Sequence, residues 1–161
     1  MRLNVSHLLK APVGTREVLH INSGAVTLGD DLHLHYLQGD IELTRVTEGL
    51  LAEGELETEF DCECVRCLAS FPLSLTVQLE DLMFALPRSS KNHQYRISED
   101  GWIYLNLALR EQILLSIPMR TLCRPDCKGV CSQCGQNWNE GPCDCQEQEI
   151  DPRLAILRDL L

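Results

Sequence analysis

Alternating apolar and polar residues predict β-strands in the first part of the chain. Residues 32–37 and 41–44 both alternate, as a strand with one buried face does. The segment between them centres on Gly39 and has the composition of a turn. We therefore expect a hairpin over residues 32–44.

A second and longer pair of alternating runs surrounds a Cys-x-x-Cys sequence. Acidic residues fill the odd positions of residues 53–64, while leucine, threonine, phenylalanine and cysteine fill most of the even ones. Residues 71–80 alternate with the same period, so the two runs predict an antiparallel hairpin whose tip carries Cys64 and Cys67. One face of this hairpin is then acidic, and we expect it to point to solvent or to dock a basic protein.

The hydrophobic period changes to that of a helix after a polar stretch. Residues 87–101 are predicted to form a polar loop, and a short strand is expected at 102–104. Leucine and isoleucine then recur at helical spacing over residues 107–117, with Asn106 as the expected N-cap and Pro118 as the stop. We expect a single helix that is largely buried against the sheet.

The composition changes at residue 119, where cysteine, glycine, proline and amides replace core-forming residues. The whole pattern predicts an α+β fold. Residues 1–118 would form an antiparallel β-rich body, as a small barrel or a curled sheet, with one packed helix. Residues 119–161 would form a Cys-rich zinc-binding tail of the same folding unit, because they lack the apolar residues for a core of their own. Residues 151–161 predict a short amphipathic helix at the end.

Length and charge restrict the class of protein. A chain of 161 residues suits one domain. Its formal net charge of −10 argues against a surface that binds nucleic acid throughout, since phosphate binding needs clustered lysine and arginine. A local basic patch is still compatible with this charge. No apolar run approaches the roughly 20 residues that span a bilayer, and no signal-peptide core is visible, so we expect a cytoplasmic protein without membrane contacts.

Nine cysteines are the strongest chemical signal in the sequence. Without an export signal, clustered cysteines favour metal binding over disulfides. The Cys-Ser-Gln-Cys-Gly sequence at 131–135 is a zinc-knuckle pattern, in which Gly135 frees the backbone to turn where a Cβ would obstruct it. A Cys-x-Cys pair follows eight residues later. The predicted first metal site consists of Cys131, Cys134, Cys143 and Cys145.

Four further cysteines form two half-sites, a Cys-x-x-Cys and a Cys-x-x-x-Cys: Cys64, Cys67, Cys123 and Cys127. Together they can complete a second four-cysteine site that joins the hairpin tip to a distant segment. The Cys-x-x-x-Cys pair can instead share an ion with the knuckle pair at Cys131 and Cys134. Cys62 is left over, and we interpret it as a small buried hydrophobe.

Zinc, as one or two ions, fits an all-thiolate set better than magnesium or calcium does, and the short loops favour a single ion over an iron–sulfur cluster. Four thiolates leave no open coordination position, so we expect structural sites. None of the five histidines lies in a His-Glu-x-x-His motif, and the sequence has neither a phosphate loop nor a nucleophile elbow. We therefore expect a protein that is not an enzyme and has no small-molecule substrate. The alternative is a thiol redox or metal-handling protein that uses Cys64 and Cys67, since Arg66 would lower a thiol pKa.

Several basic residues flank the two half-sites. If a metal joins them, positive charges gather on one edge of an acidic protein, next to a tryptophan that can stack on a base. The alternative is that these charges offset the thiolates and that the tryptophan packs on the knuckle. The candidates for RNA contact are Arg66, Arg120, Arg124, Lys128 and Trp138.

Four segments, in order along the chain, resemble the YceD family of large ribosomal RNA subunit accumulation proteins. Residues 64–72 are similar to the family's Cys-x-Arg-Cys segment, and the helix that ends at Pro118 is similar to its leucine-rich helix. The most specific match is Cys-Lys-Gly-Val-Cys-Ser-Gln-Cys-Gly-Gln-Asn-Trp-Asn at 127–139, where valine and tryptophan replace the more usual leucines. Residues 151–155 are similar to the family's usual ending.

This resemblance implies a non-enzymatic role in making, processing or stabilising 23S rRNA. The partners it implies are rRNA or precursor large-subunit particles, and the acidic strand adds a basic ribosomal protein as a further candidate. Some members of the family lack the knuckle, which implies a stabilising role for a knuckle metal. A further alternative is a zinc-stabilised adaptor that binds only protein.

Overall fold

The computed structural model describes residues 1–89 and 93–145, and a large β-sheet dominates it. Two elements precede the sheet: β1 (Arg2–Asn4) and α1 (Ser6–Lys10). The sheet contains β2 (Arg16–Ser23), β3 (Val26–Leu28), β4 (Leu32–Val46), β5 (Gly49–Glu63), β6 (Ser70–Ala85) and β7 (Tyr95–Arg96). Two elements follow it: β8 (Trp102–Tyr104) and α2 (Leu105–Ser116). The helix predicted at 151–161 lies outside the described residues.

The strand order confirms an α+β fold with a mainly antiparallel sheet. The six-stranded sheet runs β2-β4-β5-β6-β7, with β3 also paired to β4. Every pairing in it is antiparallel except the short parallel contact of β6 with β7. This order is open, so the described strands form a sheet rather than a closed barrel. β1 and β8 pair separately as a two-stranded sheet.

The hairpin predicted at residues 32–44 is wrong, because β4 runs through Gly39 without turning. Gly39 has a φ of +138°, and a Cβ there would lie 2.2 Å from the carbonyl oxygen of Glu55. Gly54 on β5 is in the same situation, because a Cβ there would lie 2.2 Å from the carbonyl oxygen of Asp40 on β4. The glycines therefore mark a close approach of two long strands, which is another established use of glycine within a sheet.

The second predicted hairpin is confirmed. β5 and β6 pair antiparallel along their lengths, and the Cys64–Cys67 segment connects them. Along β5 the residues Leu56, Thr58 and Phe60 are buried. The alternate acidic residues lie on the opposite face and are exposed or half-buried: Glu53, Glu55, Glu57, Glu59, Asp61 and Glu63. The acidic side of the sheet thus points to solvent, as expected.

Helix α2 begins earlier than the hydrophobic period predicts, and the expected N-cap is wrong. Tyr104 occupies the N-cap position, while the side chain of Asn106 accepts a hydrogen bond from the amino terminus of Met1. Only one face of the helix is buried, since Leu107 and Leu115 are 52% and 78% exposed. The expectation of a largely buried helix therefore holds for that one face alone.

Five elements were not predicted from the sequence: β1, α1, β2, β3 and β7. All but β2 have five residues or fewer. Helix α1 has five residues and β7 has two, which is too few for a period to show. The segment at 87–101 is therefore not wholly a loop, because β7 lies within it.

The main core fills the space between the inner sheet face and α2, which packs against β6, β3 and β1. Fully buried side chains from both layers form it: Leu28, Leu34, Leu37, Ile41, Leu56, Phe84, Ile103 and Leu109. A second, smaller apolar cluster surrounds Cys64, Cys67 and Cys127. The segment at 122–130 thus packs on the hairpin tip, in a cluster separate from the main core. Among the described residues, no helix has the length and apolarity that a membrane crossing requires.

Candidate metal centres

The tip of the β5–β6 hairpin is a tight turn that buries two cysteines. The backbone N–H of Leu68 donates to the carbonyl of Cys64 at 2.8 Å, and the N–H of Cys64 donates to the carbonyl of Ala69 at 3.0 Å. Leu68 has a φ of +59°, so the chain reverses there. Cys64 and Cys67 are 0% and 6% exposed as a result.

The segment that follows α2 is hydrogen-bonded to this tip. The N–H of Val65 donates to the carbonyl of Thr121 at 2.9 Å, and the Thr121 hydroxyl donates to the carbonyl of Glu63 at 2.8 Å. Six residues after Thr121, the carbonyl of Cys127 accepts a hydrogen bond from the Arg66 guanidinium at 2.9 Å. These three hydrogen bonds hold the segment with Cys123 and Cys127 next to the tip with Cys64 and Cys67.

Four sulfur atoms meet in what we call the hairpin cluster: Cys64, Cys67, Cys123 and Cys127. All four lie within 4.8 Å of one another, with 3.8 Å between Cys64 and Cys127 and 3.6 Å between Cys67 and Cys123. A tetrahedral ion with metal–sulfur bonds of about 2.3 Å has sulfur–sulfur edges of about 3.8 Å. The spacing therefore fits a single zinc-sized ion.

A second group of sulfur atoms forms the knuckle cluster: Cys131, Cys134, Cys143 and Cys145. These four also lie within 4.8 Å of one another. The N–H of Gly135 donates to the carbonyl of Cys131 at 2.9 Å and closes the turn. Gly135 has a φ of +74°, but no atom lies within 4 Å of where its Cβ would be. Glycine is thus favoured by the backbone angle and not, as expected from the sequence, by lack of space.

The sulfur positions distinguish between the pairings that the sequence left open. The Cys-x-x-x-Cys pair lies with the hairpin tip and not with Cys131 and Cys134. Cys62 belongs to neither cluster and is half-buried against the main core. Cys64 and Cys67 are buried, and each has a sulfur of the distant pair beside it, so this arrangement does not favour an accessible redox dithiol.

Both clusters contain sulfurs with a lowered pKa, and in the hairpin cluster these include Cys127, whose pKa the hydrogen bond from Asn139 lowers. Burial raises the pKa of Cys64, but backbone N–H groups around the sulfur, that of Cys123 foremost, outweigh it and lower the pKa to about 6. The backbone N–H groups of Cys134 and Gln133 likewise lower the pKa of Cys131 to about 6. Both clusters therefore offer a thiolate near neutral pH, which is the form that binds metal.

Each cluster also contains a sulfur that holds its proton. Burial, together with the neighbouring Cys67 sulfur, raises the pKa of Cys123 to about 12. The Cys134 sulfur and burial raise the pKa of Cys145 to about 12. A metal ion that binds either cluster must displace such protons, so binding releases them.

The basic candidates lie mainly where the two clusters meet. Besides Arg66 at the tip, the Arg124 guanidinium donates to the Asn139 side-chain oxygen at 2.7 Å, and the Lys128 backbone N–H donates to the same oxygen at 2.9 Å. Arg124 also lies 3.7 Å from the carboxylate of Asp126. Arg66 and Arg124 thus have structural partners.

The other three candidates for RNA contact, Arg120, Lys128 and Trp138, have side chains that are open to solvent. The side chains of Arg120 and Lys128 are exposed and form no hydrogen bond or ion pair with a described residue. Trp138 is 43% exposed and lines the same open depression as Lys128. Its backbone N–H donates to the carbonyl of Gly129 at 2.9 Å, which fixes its loop on the segment between the clusters.

Sequence reasoning missed one residue of this site. The Asn139 amide nitrogen lies 3.3 Å from the Cys127 sulfur and donates a hydrogen bond to it. The only signal was the Asn-x-Asn sequence that follows the knuckle, and an amide in a loop gives no indication of its partner.

Comparisons with known proteins match most of the chain, including both clusters. A family model described as "Large ribosomal RNA subunit accumulation protein YceD" matches residues 52–161, which include both clusters. An uncharacterized protein of Mycobacterium tuberculosis (strain ATCC 25618 / H37Rv) is 33% identical over 150 residues, which cover 90% of this chain and 67% of that protein. The uncharacterized protein YlbN of Bacillus subtilis (strain 168) is 29% identical over 126 residues, which cover 77% of this chain and 71% of that protein.

A plant protein carries the family description in its name. It is the chloroplastic large ribosomal RNA subunit accumulation protein YCED homolog 1 of Arabidopsis thaliana, 24% identical over 154 residues that cover 77% of this chain and 48% of that protein. No solved structure matches the chain. Since the family model spans more than half of the sequence and contains all eight clustered cysteines, this chain belongs to the YceD family of large ribosomal RNA subunit accumulation proteins.

Proposed function

We propose that this protein is a non-enzymatic assembly factor that supports the accumulation of large-subunit rRNA in the cytoplasm. In this proposal it binds precursor large-subunit particles through the basic edge, which we define as Arg66, Arg120, Arg124, Lys128 and Trp138. Zinc in both clusters holds that edge together. Two zinc ions with four thiolates each have no open position, so their role is structural.

The observation that carries the proposal is the separation of charge. The chain has a net charge of −10, and acidic side chains cover the outer face of β5. The basic edge lies instead on the hairpin tip and on the segment that the clusters attach to it. The edge contains four of the 14 lysine and arginine residues, next to an exposed tryptophan that can stack on an unpaired base, so we place the electrostatic contact with phosphate there.

The acidic face supports a second contact of the same assembly factor. Asp40 lies directly opposite Glu55 in the β4–β5 ladder, and Glu42 lies opposite Glu53. Like charges in such positions destabilise a sheet. On the β4 side Arg16 lies 3.1 Å from Glu42 and His20 contacts Asp40, whereas Glu53 and Glu55 on β5 are exposed and available to a basic partner. We propose that a basic ribosomal protein binds this acidic face and that the basic edge contacts rRNA.

The test reverses charge on the basic edge without removing a structural contact. Arg120→Glu with Lys128→Glu changes two exposed side chains that have no partner among the described residues. We expect the double variant to bind precursor particles at least about tenfold more weakly, since a hydrogen bond to a charged group contributes about 1.5–3 kcal/mol. In depleted cells it should not restore the ratio of 23S to 16S rRNA.

The matched control changes the net charge equally elsewhere. Lys10→Glu with Arg88→Glu alters two exposed residues on α1 and after β6. This control should sediment with precursor particles and restore the rRNA ratio as the unmodified protein does. Equal co-sedimentation of both double variants would exclude the basic edge as the contact. If depletion of the protein leaves the ratio of 23S to 16S rRNA unchanged, the proposed function itself is contradicted. If crosslinking in cells joins the protein to other proteins but not to RNA, the alternative of a protein-binding adaptor is favoured.

A further inference from the structure

Asn139 connects the two cysteine clusters. It belongs to the loop between two knuckle ligands, Cys134 and Cys143, yet its amide nitrogen donates to the sulfur of Cys127 in the hairpin cluster at 3.3 Å. An N–H group that donates to a thiolate stabilises the charged sulfur. Outer partners of this kind orient metal ligands and adjust their basicity.

The Asn139 carboxamide is held on both sides. Its oxygen accepts from the Arg124 guanidinium at 2.7 Å and from the Lys128 backbone N–H at 2.9 Å. Its nitrogen also donates to the Asn137 side-chain oxygen at 2.8 Å, and that oxygen accepts from the Asn139 backbone N–H at 3.0 Å. Because both ends of the carboxamide have partners, its nitrogen is fixed towards Cys127.

The loop that carries Asn139 is anchored on the segment joining the clusters. Val130 and Asn137 form a β-bridge, and the Trp138 N–H donates to the carbonyl of Gly129 at 2.9 Å. Gly129 in turn lies against the hairpin tip, where a Cβ would be 3.2 Å from the carbonyl oxygen of Arg66. The ends of the loop are ligands of the knuckle cluster, so an ion there would fix the loop in this position.

We propose that the two clusters bind metal as a coupled pair, with Asn139 as the positioning residue that links them. The inference rests on the proposed binding of zinc to both clusters. An ion in the knuckle cluster orders the loop, the ordered loop presents the Asn139 N–H to Cys127, and the hairpin cluster then binds its own ion more tightly. Coupling between two binding equilibria is reciprocal, so the hairpin ion strengthens the knuckle site by the same factor.

The first experiment measures zinc affinity by chelator competition on the full chain. Cys143→Ser with Cys145→Ser removes knuckle ligands and should weaken zinc binding at the hairpin cluster by about 10–100-fold. Cys64→Ser with Cys67→Ser should weaken the knuckle site by the same factor. Unchanged affinity of the remaining site in both variants would overturn the coupling.

The second experiment isolates Asn139. Asn139→Asp keeps the oxygen that Arg124 and Lys128 contact but replaces the N–H donor that faces Cys127. Asn137→Asp introduces the same charge in the same loop, at a side chain with no sulfur contact among the described residues. We expect Asn139→Asp to weaken the hairpin site by about 10–100-fold while the knuckle ion remains bound, and Asn137→Asp to have the smaller effect. Equal effects of the two variants would exclude the specific role of Asn139.

A spectroscopic readout separates this hydrogen bond from a general effect on folding. With ¹¹³Cd in both clusters, the Asn139 amide protons should show a scalar correlation to one of the two cadmium resonances through the N–H···S bond. Asn139→Asp should remove that correlation and shift the same resonance. Its absence in the unmodified protein would overturn the assignment. Failure of zinc and cadmium to bind either cluster would contradict the proposed metal sites as well, which distinguishes the two proposals.

Discussion

At the scale of single residues, a cysteine becomes a candidate ligand through its position in the fold rather than through its place in the sequence. Cys62 and Cys64 are two residues apart on the same chain segment. Cys64 is fully buried and lies 3.8 Å from the sulfur of Cys127, whereas Cys62 has its sulfur 3.8 Å from a backbone carbonyl and outside both clusters. Cys62 is therefore an internal control for a test of Cys64 as a metal ligand.

We predict that Cys64→Ser lowers the zinc content from two ions per chain to one, because a serine hydroxyl does not replace a thiolate in an all-sulfur site. Cys62→Ser should keep both ions and lose only a small amount of stability. Native mass spectrometry measures the metal content of each variant. Loss of an ion in Cys62→Ser, or two ions retained in Cys64→Ser, would contradict the ligand assignment.

At the scale of elements, the sequence predicts strands and helices well where an apolar period extends over many residues. The β5–β6 hairpin and the main helix have such periods, and both are confirmed. Gly39 was interpreted as a turn because a single sequence does not show whether glycine reverses a strand or lets a neighbour approach. Its interpretation required the position of Gly54 on the adjacent strand, which is long-range information.

The close approach at Gly39 gives a specific prediction. Gly39→Ala should lower the free energy of unfolding by about 2–5 kcal/mol, because the new Cβ meets the Glu55 carbonyl and the φ of +138° is strained for alanine. Gly24→Ala is the matched control, since no atom lies within 4 Å of its Cβ position. Urea unfolding of both variants measures the difference. Equal stability of the two would show that β4 and β5 separate at little cost.

At the scale of the whole molecule, a body with its own core is joined to a segment that has almost none. The main core comes from the sheet and α2, whereas the second apolar cluster is largely made of the hairpin cysteines and their neighbours. The division of the chain at residue 119 and the ligand roles of the cysteines stay predictions, although the sulfur atoms of each set lie within 4.8 Å of one another. The sequence predicted the two sets of four cysteines, with a second pairing left open for Cys123 and Cys127. It did not predict the contacts between the clusters, because side-chain hydrogen bonds between loops have no periodic signal.

This division predicts the response to metal removal. A strong chelator should increase amide hydrogen exchange in residues 119–145 and at the hairpin tip, while the centres of β4 and β5 remain protected by the main core. Returning zinc should restore the original protection. Loss of protection throughout the sheet would mean instead that the metals stabilise the body, and unchanged exchange would mean that they stabilise neither part.

The hairpin cluster also has a topological consequence. Cys67 and Cys123 lie 56 positions apart in the sequence, and the chain between them includes β6, β7, β8 and α2. An ion held by both residues closes that chain into a loop, as a disulfide would. For a loop of this length, the loss of chain entropy in the unfolded state corresponds to about 4 kcal/mol. While the ion stays bound, unfolding therefore yields a closed ring rather than a free chain, so complete unfolding requires that the ion leave first.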